Sequence, residues 1–217
     1  MILIPVKILK NAKQRLASVL DQPSRSALAQ AMIHDVAETI HRWDNRPEIA
    51  LVTSDPFALD LAKQFDFQVI PDDFNRSETD AIEMATHIAT QRGAGFTLVI
   101  PGDIPLVTAS ELQAVMDAAP SAGSVLVPAS DGRGTNAALR SPGDLFPLRF
   151  GNDSFRPHLA AARITRRPCV VLSKPGIGLD VDTLSDLRQL VNAPGTARSQ
   201  VLARRWNLDE LPLAANE

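Results

Sequence analysis

The chain has 217 residues, 45% of them hydrophobic and 22% charged, an ordinary globular balance with length enough for one domain and a sizeable core. A formal net charge of -3 and an isoelectric point near 5.8 leave no whole-molecule basic field that would draw nucleic acid. The single cysteine, Cys169, excludes an intramolecular disulfide and suits a reducing compartment.

The opening run Ile2-Leu3-Ile4-Pro5-Val6 is too short to span a bilayer and lacks the layout of a signal peptide. It reads as a strand buried on both faces, and the protein as cytoplasmic and free of the membrane. Leu28, Met32, Val36 and Ile40, spaced four apart, mark a helix from about Ser24 to Trp43. A second buried strand covers 49–53, and Pro56 opens a helix with Asp55 as its N-cap. A strand at 67–70, a helix over 78–91 and a strand at 96–100 follow, the last running straight into Pro101-Gly102-Asp103. Thr108-Ala-Ser-Glu111 has the form of a capping box that starts the next helix. Strands at 125–127 and 137–139 flank a polar turn; then come a helix over 155–164, a strand at 170–172 and a helix over 184–191. Cys169, at the edge of that last apolar run, reads as a core thiol rather than a nucleophile.

Residues 1–193 therefore form the body, and 194–217, with Arg198, Arg204 and Arg205, a polar tail that is either a peripheral helix or a partly disordered end. Near-continuous apolar strands alternating with helices predict an α/β fold: a mostly parallel sheet covered by helices on both faces.

Ligands of open parallel sheets bind beyond the carboxyl ends of the strands, and the polar residues of interest follow the apolar runs. Asp103 sits at the exit of the fourth strand, where Gly102 gives the backbone freedom and Pro101 and Pro105 stiffen both flanks. An ordinary Gly-Asp turn is the bland alternative. Asp180 and Asp182, two apart in an extended stretch, share a face, while Thr183 with Asp186 caps the helix that follows. Carboxylates from two such places can hold a hard cation such as Mg²⁺ together with phosphate oxygens and water. Lys7, Lys10, Lys13 and Arg15 after the first strand form a basic turn suited to a triphosphate, although Lys10 reads as solvated surface and 11–16 could simply begin a helix.

Two further loops carry polar groups. Ser130 to Asn136 can offer backbone N–H groups and the Thr135 hydroxyl to an anion, or be a plain hairpin loop. Gly151 and Ser154 precede a helix whose free N–H groups suit an anion, with Ser154 as N-cap the structural alternative. A Walker motif and a Gly-x-Gly-x-x-Gly fingerprint are both absent, which disfavours a P-loop ATPase and a dinucleotide dehydrogenase. No nucleophile elbow accompanies the serines, so a hydrolase triad is rejected. His34 and His41, seven apart, have a solvent-face spacing.

Taken in order, Pro5-Val6-Lys7, Ala12-Lys13-Gln14-Arg15-Leu16, Pro101-Gly102-Asp103-Ile104-Pro105-Leu106, Asp131-Gly132-x-Gly134-Thr135-Asn136-Ala137, Phe150-Gly151-x-Asp153-Ser154-Phe155-x-x-His158 and Leu179-Asp-Val-Asp-Thr183 resemble one family. It is that of the 2-phospho-L-lactate, phosphoenolpyruvate or 3-phospho-D-glycerate guanylyltransferases of deazaflavin redox coenzyme biosynthesis. The resemblance covers about residues 1–190, and its specific parts are the Gly-Thr-Asn and Phe-Gly-x-x-Ser-Phe segments.

The resemblance implies a three-layer nucleotide-diphospho-sugar-transferase-like (Rossmann-like) fold, GTP as donor, Mg²⁺ as cofactor and a small phosphorylated acid as acceptor. It is compatible with a homodimer. By motif match, Asp103 with Asp182, or Asp180 in its place, would hold metal, and Asp103 with Lys13 would be catalytic. Lys7, Lys13, Arg15, Gly102 and Asp80 would meet the nucleotide; Thr135, Asn136, Gly151 and Ser154 the acceptor. The chain departs from the family at Arg76-Ser77-Glu78-Thr79-Asp80, where a Leu-Asn pair would be expected and where this fold contacts base or ribose. A relative with another nucleotide or acceptor, of molybdenum-cofactor or sugar-phosphate type, and a nucleotide-binding regulator without catalysis are the competing readings.

Overall fold

In the computed structural model the apolar runs come together as one seven-stranded sheet of order β3-β2-β1-β4-β6-β5-β7. The strands are β1 Ile2–Pro5, β2 Ile49–Val52, β3 Gln68–Ile70, β4 Thr97–Val99, β5 Gly123–Pro128, β6 Thr135–Ser141 and β7 Cys169–Val171. The structure describes residues 1–73, 76–151, 153–206 and 208. β6 is antiparallel to both neighbours and every other pairing is parallel, so the sheet is mixed and mostly parallel, as the sequence predicts. No helix among the described residues is long and apolar enough to cross a membrane.

Strand alternation divides the core. Ile2, Ile4, Leu51 and Leu98 point to one face, against Ile33, Val36 and Ile40 of helix α1 (Gln22–His41), helix α2 (Pro56–Phe65) and helix α4 (Ala109–Asp117). Leu3, Val52, Val99 and Leu126 point to the other, against Ala81, Ile82 and Ala85 of helix α3 (Glu78–Gln91) and Ala162 of helix α5 (Phe155–Ile164). Each such fully buried aliphatic side chain contributes roughly 1.5–3 kcal/mol of transfer free energy. Asp55 caps α2 through the Phe57 and Ala58 N–H groups, and Thr108 and Glu111 form the expected capping box of α4.

A third cluster, away from the sheet, joins Leu16, Leu28 and Met32 to Val181, Leu187 and Leu190 around helix α7 (Leu184–Asn192). The short helix α6 (Pro175–Gly178) was not anticipated, being too brief for periodicity to mark it. Beyond Pro194 the chain forms helix α8 (Arg198–Ala203), and Ala203 is buried in this third cluster. Its hold on the body is polar. The buried carboxylate of Asp35, in the middle of α1, accepts from Arg198 N–H at 2.9 Å, Ser199 N–H at 2.9 Å and the Ser199 hydroxyl at 2.6 Å. A side chain of α1 thus supplies the N-terminal cap that α8's own Ala197 cannot.

Two smaller expectations change. Cys169 is only partly buried, because β7 is the edge strand. His34 is not on a solvent face: its ring packs edge-on against Phe65 at 5.3 Å, with His41 on the same phenyl ring at 5.1 Å.

Asp35→Ala removes three charge-assisted bonds at once and should cost about 2–4 kcal/mol. The measurement is the urea midpoint of the full chain; a midpoint equal to wild type would mean that α8 does not depend on Asp35.

Candidate active site

The register of the sheet builds the site. Val99 of β4 lies opposite Ala138 of β6, so the chain leaving β4 toward Gly102 and Asp103 runs beside the start of β6 at Thr135 and Asn136. Because β6 is reversed, its first residues share the sheet edge with the last residues of the parallel strands. Gly102 packs closely there: a Cβ would lie 2.5 Å from the terminal Cδ1 of Ile33 of α1, which would have to move aside. The Asp103 carbonyl accepts from Val181 N–H at 3.1 Å, which places Asp180 and Asp182 on either side of this contact. Val181 is buried, and both neighbouring carboxylates line the cavity, as their period-two spacing predicts. Thr183 and Asp186 supply the cap of α7, leaving the Asp182 carboxylate for the site.

Lys13 joins these pieces. It stands at φ 54 between two single 3₁₀ turns, Leu9–Asn11 and Gln14–Leu16, so no continuous helix begins here. Its buried ammonium donates to Asp103 Oδ2 at 2.6 Å and to Asp182 Oδ1 at 2.7 Å. Burial opposes the charge on Lys13, but the Asp103 and Asp182 carboxylates outweigh it and raise the pKa well above that of an ordinary lysine. Burial likewise works against the Asp182 charge, and the Lys13 ammonium overcomes it, holding that carboxyl below the usual range. Asp180 differs. Burial pushes its pKa up despite a 2.9 Å bond from Asn136 Nδ2, with the Asp103 charge adding to the rise.

Two cavities meet at this cluster. The larger, about 520 Å³, lies between β1, α1 and the exit of β4, with Lys7, Lys13, Gly102 and Asp103 among its lining residues. The smaller, about 290 Å³, is lined by Thr135, Asn136, Gly151, Ser154 and both Asp180 and Asp182. Asp103, Asp182, Pro101 and Glu78 line both. The donor set suits a hard cation, being carboxylate oxygen throughout. Asp103 Oδ1 is buried and has no hydrogen-bond partner, an arrangement costly in a closed protein and satisfied by a cation or a ligand donor.

The four basic residues after β1 do not form one surface. Lys7 lines the larger cavity and is paired with Asp72 at 2.7 Å; Lys10 is exposed; Arg15 reaches toward Asp182 Oδ2 at 3.9 Å on the side of the smaller cavity. Arg15 therefore stands with Thr135, Gly151 and Ser154 rather than with Lys7. Asn136 donates to the Ile177 and Gly178 carbonyls as well as to Asp180, so much of its amide is committed to the protein. Ser154 is buried at the start of α5, yet its side chain makes no capping bond. Gly151, at φ 134, faces open space. The Ser130–Asn136 loop is a hairpin loop and a cavity wall at once.

Asp80 lines neither cavity. It is exposed in the first turn of α3, and Glu78, two residues earlier and so on another side of the helix, takes the place at the junction. Burial pushes the Glu78 carboxyl up to about 7, with the Asp103 charge next to it adding to the rise. His158 stands just behind the Thr135 wall. It is buried behind the smaller cavity, with Nδ1 2.9 Å from Thr135 Oγ1 and Nε2 accepting from Arg149 N–H at 2.7 Å. A histidine four residues into a helix that starts with a site serine is the only trace this leaves in the sequence.

The fold and this doubly lined acidic cluster define a nucleotidyltransferase-type protein. A protein from Desulfovibrio desulfuricans G20, provisionally described as a nucleotide-diphospho-sugar transferase, superposes with a TM-score of 0.76 over 94% of this chain and 93% of its own, at 19% identity. A 4-diphosphocytidyl-2C-methyl-D-erythritol synthase does so with a TM-score of 0.58 at 13% identity, covering 87% and 95%. Residues 1–207 match the family described as guanylyl transferase CofC like, and the chain belongs to that family. It is 37% identical over 196 residues to the phosphoenolpyruvate guanylyltransferase of Chloroflexus aggregans, covering 87% of this chain and 95% of the relative. To the 2-phospho-L-lactate guanylyltransferase of Methanobrevibacter smithii it is 27% identical over 189 residues, covering 87% and 82%.

Burial, with the nearby Arg140 charge adding to it, lowers the His158 imidazole to about 4 from its ordinary 6.5. The native state thus favours the neutral ring, a preference worth on the order of 3 kcal/mol. That stability is fully present above pH 6.5 and is lost as pH falls through 6.5 toward 4. Urea unfolding across this window should show wild type losing stability on acidification more steeply than His158→Gln; parallel profiles would contradict the assignment.

Proposed function

We propose that this chain transfers GMP from GTP to the phosphate of a small phosphorylated three-carbon acid, releasing pyrophosphate, as a cytoplasmic step of deazaflavin redox coenzyme biosynthesis. The observation that carries this reading is the pair of cavities meeting at Asp103 and Asp182. A larger, partly apolar space with a lysine at its wall suits a nucleoside triphosphate. A smaller polar one with a threonine, a serine, an arginine and a glycine loop suits a compact anion. The family membership and the names of the relatives supply guanylyl as the transferred group. The relatives' names point to phosphoenolpyruvate or 2-phospho-L-lactate as the acceptor, and the motif resemblance adds 3-phospho-D-glycerate to the same class.

The reaction needs no covalent enzyme intermediate, since a phosphate monoester is already a nucleophile near neutral pH. An acceptor phosphate oxygen forms a bond to the α-phosphorus as the bond to the bridging oxygen of pyrophosphate breaks. The protein positions the two anions in line and neutralises charge. Asp103 and Asp182, with Asp180 beside them, would hold Mg²⁺, which supplies Lewis-acid neutralisation of the phosphate oxygens. Lys7 lies on the nucleotide side. Thr135, Gly151 and Ser154 surround the acceptor, with Arg15 at its margin. Lys13 holds the Asp103 and Asp182 carboxylates at one distance from each other.

Purified protein incubated with Mg²⁺, each nucleoside triphosphate and each of the three acids should release pyrophosphate with GTP and at least one acid. Silence with every combination would refute guanylyl transfer. Asp103→Asn should keep the wild-type circular dichroism, melt lower because the buried Lys13 ammonium loses one of its two carboxylates, and lose turnover by about a thousandfold. Near-normal turnover would move the chemistry to another carboxylate.

A further inference from the structure

We infer that His158 is a positioning residue for acceptor recognition: it turns the Thr135 hydroxyl into a one-way hydrogen-bond donor and ties the 149–151 loop to the opposite wall of the same cavity. The inference rests on the reading that this smaller cavity takes the anionic acceptor.

The geometry fixes the direction of each bond. Arg149 offers His158 Nε2 a backbone N–H, which can only donate, so Nε2 carries no proton. The proton of the neutral imidazole is therefore on Nδ1, and the Nδ1–Thr135 contact at 2.9 Å has the ring donating to the hydroxyl oxygen. A threonine hydroxyl whose oxygen already accepts from a buried ring has its own proton left to give. Thr135 lines the smaller cavity, so that proton is presented to a ligand oxygen there. For a ligand rich in carboxylate and phosphate oxygens, which accept and do not donate, a fixed donor is the useful orientation.

The second bond of the ring acts on the other wall. Arg149 N–H is held by Nε2, Phe150 N–H by Thr79 Oγ1 at 2.9 Å, and the Phe150 ring packs edge-on against His158 at 5.2 Å. Gly151, the next residue, faces the cavity at a φ that favours glycine. One buried ring therefore sets both the donor on β6 and the approach of the glycine loop. His158 is buried behind Thr135 and does not line the cavity, so it acts through Thr135 and the loop, not by touching the acid. The neutral ring is the form this needs. Burial and Arg140 both favour it, and the Arg149 N–H takes the position a second ring proton would require.

The two bonds can be separated by amide side chains. In His158→Asn, Nδ2 stands near the place of Nδ1 and can still donate to Thr135. In His158→Gln, Oε1 can still accept from Arg149 N–H. His158→Phe keeps the ring volume and neither bond. Phosphoenolpyruvate, 2-phospho-L-lactate and 3-phospho-D-glycerate are each titrated calorimetrically into the full-length protein with Mg²⁺, with GTP as the control ligand.

For whichever acid wild type binds most tightly, His158→Phe should weaken the Kd about tenfold, the scale of one lost hydrogen bond, and leave the GTP Kd within about twofold. His158→Asn should recover most of that loss and His158→Gln less. Thr135→Val should lose most of what His158→Phe loses, and the two together should be no worse than His158→Phe alone. An unchanged acid Kd in His158→Phe, an equal loss of GTP affinity, additive losses, or a wild type that binds none of the acids overturns the inference. If His158→Phe does not fold, the order of the Asn and Gln variants decides alone, and Gln equal to or better than Asn overturns it. Should the acids bind in the expected order while no pyrophosphate is released, guanylyl transfer is refuted and the role of His158 stands.

Discussion

Three stretches of chain, separated by 90 and by 169 residues in sequence, are joined at the ammonium of Lys13. The loop after β1 brings the lysine, the exit of β4 brings Asp103, and the segment before α7 brings Asp182. Both carboxylates lie within 2.7 Å of the same ammonium and would repel each other without it; one cation between them converts that repulsion into attraction. The lysine stands in an unusual backbone, a non-glycine residue in left-handed conformation, and from there its ammonium reaches both acids. Removing it would leave two half-exposed carboxylates facing each other without the buried ammonium that now pairs with both. The acidic site is thus also a structural joint.

The second constraint is the reversal of β6. In a wholly parallel sheet, every strand would deliver its final residues to the ligand edge. Reversing one strand delivers its first residues there instead, so Thr135 and Asn136 stand beside Asp103 with no long loop between them. The hairpin from β5 to β6 then becomes a wall of the smaller cavity. Its Arg133 pairs with Asp153 of the facing loop at 2.6 Å and so connects the rims of that cavity. The division of labour follows: the parallel half of the sheet faces the larger cavity, and the mixed half the smaller one.

Much of this was legible in the sequence because it lies along short stretches of chain. The strands are near-continuous apolar runs, the caps at Asp55, Thr108 and Thr183 are local, and Asp103 follows directly from where β4 ends. What was not legible depends on contacts across long separations. Arg198 and the residues after it look like a polar tail, yet Ser199 is buried because Asp35, 164 residues earlier, satisfies its N–H and hydroxyl. The acidic pair at 78 and 80 marks the right segment, but helical geometry turns Glu78 toward the site and Asp80 to solvent. Lys13 and Arg15 look alike in the sequence, and only the 3₁₀ turns put one between the carboxylates and the other on the smaller cavity. His158 carries no signature, because a buried neutral histidine leaves no periodic or charge pattern.

The most direct test of the central claim, that Asp103 and Asp182 form a cation site at the junction of the two cavities, is an anomalous-scattering crystal structure. Crystals would be grown with Mn²⁺ and a non-hydrolysable GTP analogue. The prediction is a manganese peak at about 2.0–2.3 Å from carboxylate oxygens of Asp103 and Asp182, with the nucleotide in the larger cavity. A peak bound elsewhere, or nucleotide bound with no metal at these two carboxylates, would contradict it.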